Sequence, residues 1–149
     1  MVDLIGRAMN QQEAVQAEMT FEHHFKCAQA RINDGRQYFV LKLEIGVVGV
    51  VGLHHYSWGP SQNIWLAWFA IEPAAQGSGF GQLLLDAIIQ RAQECGYAKL
   101  FIETYSTAEF GKARAFYRSN GFVRVGHVKG YLEDGGHMVV FYKALTHNA

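Results

Sequence analysis

The stretch Gln76-Gly77-Ser78-Gly79-Phe80-Gly81 combines residue types and spacing that could bind an anion. It follows the all-apolar run Ile64 to Ile71 and opens an amphipathic helical pattern near Gly79. In that order, a strand, a glycine-rich turn and a helix N-terminus point unpaired amide N–H groups outward, and small residues let a ligand come close. The helix dipole adds partial positive charge at the same place. The stretch reads as a phosphate cradle. Two nucleotide patterns fail on it: a dinucleotide fingerprint needs a glycine where Gln82 stands, and a P-loop needs a lysine, of which none lies between Lys42 and Lys99. What remains is Gln-x-x-Gly-x-Gly, on Gln76, Gly79 and Gly81. A glycine-rich turn also serves as a plain connection, so the flanking elements must decide.

Those elements read as one mixed α+β unit spanning residues 1–149, a length that can bury a real core. Half of the residues are apolar and 17% are charged, as in globular proteins. The 13 Lys and Arg balance 13 Asp and Glu, which argues against a nucleic-acid or acidic-lipid partner. Cys27 and Cys95 are too few for a disulfide framework or a metal knuckle, so no metal is expected. Two free thiols, no run approaching the roughly 18 apolar residues of a membrane span and no signal pattern point to the cytoplasm.

Residues 3 to 33 read as helical, with Met9, Val15, Met19, Phe21, Phe25, Ala28 and Ile32 at helical spacing and Asn33-Asp34-Gly35 as the stop. Gln37 to Glu44 and Val47 to Tyr56 read as a hairpin, and Ile64 to Ile71 as a strand buried on both faces. The next helix presents Phe80, Leu83, Leu84, Ala87, Ile88 and Ala92 on one face. Leu100 to Thr104 is then a strand parallel to Ile64 to Ile71, joined to it by a right-handed crossover. Ser106 and Glu109 have capping-box spacing for a helix from Thr107 to Asn120. Phe122 to Lys129 and His137 to Leu145 form a last hairpin around Glu133-Asp134-Gly135-Gly136.

The run Ala115-Phe116-Tyr117-Arg118-Ser119-Asn120-Gly121-Phe122 is a second landmark. With the cradle, and with Ile102-Glu103-Thr104 between them, the stretch from Ile64 to Leu145 resembles the GNAT acetyltransferase superfamily. Gln76, Gly79 and Gly81 match its pyrophosphate signature, and Phe116-Tyr117 with Gly121-Phe122 match its fourth-helix motif. The resemblance implies a three-layer fold: a mixed, mostly antiparallel sheet with helices on both faces and a central parallel strand pair that splays at the coenzyme A site. It implies an N-acetyltransferase that uses acetyl-CoA in a ternary complex. The amides of Gln76, Gly77, Ser78, Gly79, Phe80 and Gly81 would bind the pyrophosphate, and the main chain of Phe69, Ala70 and Ile71 the pantetheine. Tyr117 matches the tyrosine that protonates the departing thiolate in many relatives, whereas Phe116 reads as a core aromatic.

Direct attack of an amine on a thioester needs a neutral nucleophile, an oxyanion donor and a proton for the thiolate. A backbone N–H at a strand bulge near Ala70 or Ile71 fits the second need. A tyrosine, with a pKa of about 10, is protonated at neutral pH and fits the third. Glu103 is the favoured general base, with His54 or His55 behind it; Glu72 and His137 are weaker candidates. His54 and His55 are adjacent on a strand, so one faces each side of the sheet. Tyr105 and Tyr131, and less strongly Trp58, Trp65 and Trp68, are candidates to wall the acceptor pocket; a neutral chain without an acidic groove exerts no strong pull on polycations.

The N-terminus departs from the family pattern. No alternating run precedes Gln37, which leaves the first strand missing or vestigial and Gln37 to Glu44 as an open sheet edge. Pairing with a second copy would cover that edge, so a homodimer is expected. The resulting expectation is an enzyme acting on an amine of a small molecule or peptide. The rival is a catalytically silent module that binds coenzyme A as a sensor.

Overall fold

Strands with apolar residues on both faces occupy the middle of the sheet, and strands with mixed faces lie at its edges. The structure, a computed structural model, describes residues 1–145. A six-stranded sheet is built from β1 (Arg36–Leu43), β2 (Gly46–His54), β3 (Asn63–Ile71), β4 (Lys99–Tyr105), β5 (Val123–Val128) and β6 (Met138–Ala144), in the order β1-β2-β3-β4-β6-β5. All neighbours are antiparallel except β3 and β4. Helices α1 (Val2–Ala8) and α2 (Gln11–Gln29) lie on one face; α3 (Phe80–Glu94) and α4 (Gly111–Ser119) lie on the other. Among the described residues no strand precedes β1, which forms one edge.

The core divides by face. Leu53, Ile64, Leu100, Ile102 and Phe141 pack with Leu85 and Ile88 of α3 and with Tyr117 of α4. On the opposite face Val50 and Ala70 pack with Leu4 and Ile5 of α1 and with Ala17 and Phe21 of α2.

Several local readings are corrected. Residues 3 to 33 do not form one helix: Asn10 ends extended and caps α2 by accepting from the Glu13 N–H at 2.8 Å, so the chain breaks into α1 and α2. The buried side of α2 carries Ala14, Ala17 and Phe21, while Val15, Met19 and Phe25 face solvent. Likewise α3 buries Leu85 rather than Leu83, which is exposed. The capping box at Ser106 and Glu109 does not form. Ser106 Oγ accepts from the His137 N–H at 2.8 Å, Glu109 accepts from Asn10 Nδ2 at 3.2 Å, and a short 3-10 turn, Ala108–Phe110, precedes α4.

Candidate active site

The parallel ladder between β3 and β4 lasts three residue pairs, Asn63 with Lys99, Ile64 with Leu100 and Trp65 with Phe101. Beyond Trp65 the strands part, and the V between them opens into a cavity of about 770 Å³. A bulge shapes the β3 wall. Val51 pairs with Phe69 and Gly52 with Ala67, which leaves Trp68 unpaired with φ at 43°. The bulge therefore sits at Trp68, two residues before Ala70, in the neighbourhood where it was expected. A left-handed backbone costs a bulky residue roughly 1–2 kcal/mol.

Main-chain direction along β3 follows from one bond. The Glu72 N–H donates to the Val48 carbonyl at 2.8 Å, so Glu72 and, two residues back, Ala70 point their main-chain groups at β2. Phe69 and Ile71 then turn theirs toward the gap. Gln76 Nε2 donates to the Ile71 carbonyl at 3.1 Å and so ties the following loop to the strand end.

That loop ends in a donor array. The amides of Gly77 through Gln82 donate to no backbone carbonyl among the described residues, and the α3 ladder begins only at Leu83, which donates to Gly79. Gly77 and Gly79 hold φ at 80° and 84°, and a Cβ on either would project into open space. The turn is thus built from conformations that favour glycine, next to room for a ligand. Gly81 lies inside α3 in ordinary contact range of Phe116 and Phe69. The donor set, the free volume and the helix dipole suit a pyrophosphate.

Tyr117 reaches the cavity from α4, 5% exposed among Phe69, Phe116, Phe122 and Phe141. Burial raises its hydroxyl above the usual tyrosine range, so it stays protonated at neutral pH. Glu103 enters the same cavity from β4 on the opposite face of the sheet, which carries Phe101 and Tyr105 and leaves Ile102 and Thr104 to the core side. Water reaches Glu103 through the V, yet the protein around it removes enough solvent to raise its carboxyl.

A model of the GNAT acetyltransferase domain matches residues 34–124, more than half of the chain. This chain belongs to the GNAT acetyltransferase family. Its fold is similar to that of a GNAT-family protein from Desulfovibrio desulfuricans, with a TM-score of 0.85 at 20% identity over 97% of this chain and 90% of that one. It is also similar to the ribosomal-protein-S18-alanine N-acetyltransferase of Escherichia coli, at a TM-score of 0.66 and 20% identity over 83% and 78% of the two chains. An aminoglycoside 6'-N-acetyltransferase complexed with coenzyme A aligns at a TM-score of 0.65 and 13% identity, over 78% and 77%. No curated protein matches in sequence.

Within this GNAT domain Phe69, Ala70, Ile71, Gln76, Gly77, Gly79 and Gly81 all border the cavity with Tyr117 and Glu103. Ser78 and Phe80 do not: Ser78 is exposed in the loop, and Phe80 turns its ring into the core. The remaining base candidates separate. His54 faces the cavity, its ring against Tyr56, and burial followed by the charge of Arg36 pushes its pKa down to about 4. His55 faces the other side and sits 3.1 Å from the Asn63 carbonyl. Glu72 is occupied by Arg7, whose Nε and Nη2 donate to its two oxygens at 2.9 and 2.7 Å; these bonds hold its carboxyl below the usual range. His137 Nδ1 accepts from the Gly130 N–H at 2.9 Å.

Sequence reasoning missed Glu13 and Glu109, which border the cavity beside Glu103. It also missed Arg36 and Tyr38 on β1. Of the expected aromatics, Trp65, Trp68 and Tyr105 line the cavity, Tyr131 stacks on Tyr105 at 6.2 Å, and Trp58 stands 83% exposed beside Tyr56. His23, Cys27 and Asp34 lie within 4.8 Å of one another, but the Asp34 carboxylate is already held by His24 and Arg36.

Proposed function

We propose that this GNAT domain is an acetyl-CoA-dependent N-acetyltransferase that works by direct attack of an amine within a ternary complex. The observation that carries this reading is the V itself: an unpaired amide array at its rim, a protonated tyrosine inside one wall and a carboxylate on the other. The amides from Gly77 to Gly81 hold the pyrophosphate, and Gln76 holds the loop that presents them. Main-chain groups of Phe69 and Ile71 line the pantetheine arm, and their N–H groups are the donors for the developing oxyanion. Bound acetyl-CoA supplies the thioester carbonyl and a thiolate leaving group. As the C–N bond forms and the C–S bond breaks, Tyr117 gives its proton to the sulfur. Before attack Glu103, through a water molecule, takes one proton from the ammonium to leave a neutral amine; after attack the nitrogen gives a second proton to restore Tyr117, and the amide keeps the third.

The unit acts as one domain over residues 1–149, of which 146–149 lie outside the described residues. The open β1 edge, where Phe39 and Val40 are exposed, supports a homodimer as the proposed assembly. A monomeric mass by light scattering would count against that assembly. Among the described residues no helix is long and apolar enough to cross a membrane, and this, with the two free thiols, fits a cytoplasmic enzyme.

The test is calorimetric titration with acetyl-CoA, followed by thiol release across a panel of amines. Binding with turnover is expected. Binding without turnover of any amine would leave a coenzyme A sensor in its place.

A further inference from the structure

The acceptor half of the V has a composition that the donor half lacks. Where the parallel ladder ends, Trp65 lines the cleft and is backed by Phe101, on which it stacks at 5.0 Å with the planes 25° apart. The aromatic surface continues to Tyr56 at 5.9 Å in one direction and to Tyr142 at 5.3 Å in the other. Past Tyr56 and Trp65 it opens into a second cavity of about 300 Å³ beside Trp58. Trp68, Tyr38 and Tyr105 complete the walls, and the Tyr38 hydroxyl is buried without a partner.

Two carboxylates stand in this aromatic box without a cation. Glu13 from α2 and Glu103 from β4 both border the cavity, and neither carboxylate has a hydrogen bond or ion pair among the described residues. The Glu13 carboxyl is raised by burial first, then by the charges of Glu109 and Glu103, and burial raises the Glu103 carboxyl. The cations that border the cavity do not answer them. Arg36 is paired with Asp34 at 3.4 Å, and Lys112 enters from α4 on the donor side. Above them, Asn10 Nδ2 donates to Glu109 at 3.2 Å and so ties the α2 N-terminus to the turn after β4.

We propose that the acceptor is a small amine on a flat aromatic body, recognised as its ammonium by Glu13 and Glu103 with the ring seated on Trp65 and Tyr56. This rests on the transferase reading above and refines its acceptor. An ammonium between two like charges relieves their repulsion, and an aromatic body covers rings that water otherwise wets. Glu103 then takes one ammonium proton, which leaves the neutral nitrogen that attack requires. Glu13 keeps its charge and positions the amine.

The experiment uses the full chain with four acceptor classes: arylalkylamines, linear alkylamines of equal length, diamines and polyamines, and peptides with free N-termini. Binding is read by tryptophan fluorescence and by calorimetry with coenzyme A present; turnover is read by thiol release. An arylalkylamine is expected to exceed the matched alkylamine about tenfold in kcat/KM. Glu13→Gln should raise KM for the amine about tenfold with kcat little changed. Trp65→Leu should remove the aromatic preference while leaving acetyl-CoA affinity intact, which also reports a preserved fold. Preferred turnover of polyamines or peptides would overturn the acceptor class and leave the transferase reading standing. Binding of arylalkylamines without acetyl transfer would do the reverse. Failure of any arylalkylamine to bind would overturn the proposal outright.

Discussion

The two halves of the V are built from different material. The donor half is main chain: a run of amides from Gly77 to Gln82, two left-handed glycines and the inward-facing groups of β3. It is contiguous in sequence and depends little on side-chain identity. The acceptor half is side chain, gathered from α2, β1, β2, β3 and β4, with Glu13 and Glu103 ninety positions apart. The GNAT domain match spans 34–124 and so covers the whole donor wall but neither α1 nor α2. The contrast teaches a division of labour. On the proposed function, backbone recognition would hold a common cosubstrate and side chains from distant elements would choose the partner.

Substitutions on the two sides should therefore give different kinetic signatures. The largest effect is expected on the chemistry they share: Tyr117→Phe should lower kcat by about 10²–10⁴ with acetyl-CoA affinity kept, because the phenyl ring still fills the buried site. Undiminished turnover would remove Tyr117 from the mechanism. Glu103→Gln should cost about 10² in kcat. Because the Glu103 carboxyl is raised, wild-type activity should climb with pH as that group ionises, and the variant should lose that acidic limb. An unchanged profile would assign the base elsewhere. Gly79→Val puts a branched side chain where φ is 84°, at roughly 1–2 kcal/mol or more, so acetyl-CoA binding should weaken about tenfold or more, equally for every amine. A variant that altered amine choice instead would break the distinction between the halves.

The smallest expected effect is on stability. The folded pKa of His54, about 4, lies below its ordinary 6.5, so between these values the unfolded chain binds more protons. Stability should rise with pH across that window and be lost as pH falls through it. His54→Gln should flatten this part of a melting-temperature profile, and only modestly, since His54 is partly solvated.

The donor half was legible because its signal is local. Gln76, Gly79 and Gly81 lie within six positions, and the helix after them has a clear period. Even there the bulge, expected near Ala70 or Ile71, could not be placed to the residue: Trp68 sits in an unbroken apolar run, and nothing in that run marks one residue as unpaired. The acceptor half was legible only in part. Glu103 and Tyr105 could be placed from the strand they share, but Glu13 reads as an ordinary acid in the first turn of a helix, where the dipole favours one. Its role depends on a contact across the fold that no spacing encodes. The break at Asn10 did carry a signal, an N-cap three residues before Glu13, which the broader helical pattern hid. At Ser106 and Glu109 the local capping pattern was real, but tertiary partners claimed both side chains.

The three-pair ladder between β3 and β4 has a mechanical consequence. It makes the sheet two panels, β1-β2-β3 and β4-β6-β5, joined along a short crease. One face of the crease is held by the α3 and α4 core, the other by the Trp65–Phe101 stack. Any molecule seated in the V bears on both panels at once and acts as a rivet across them. Slowed amide exchange on binding should therefore concentrate at the open ends of β3 and β4, with the outer strands β1 and β5 changing least.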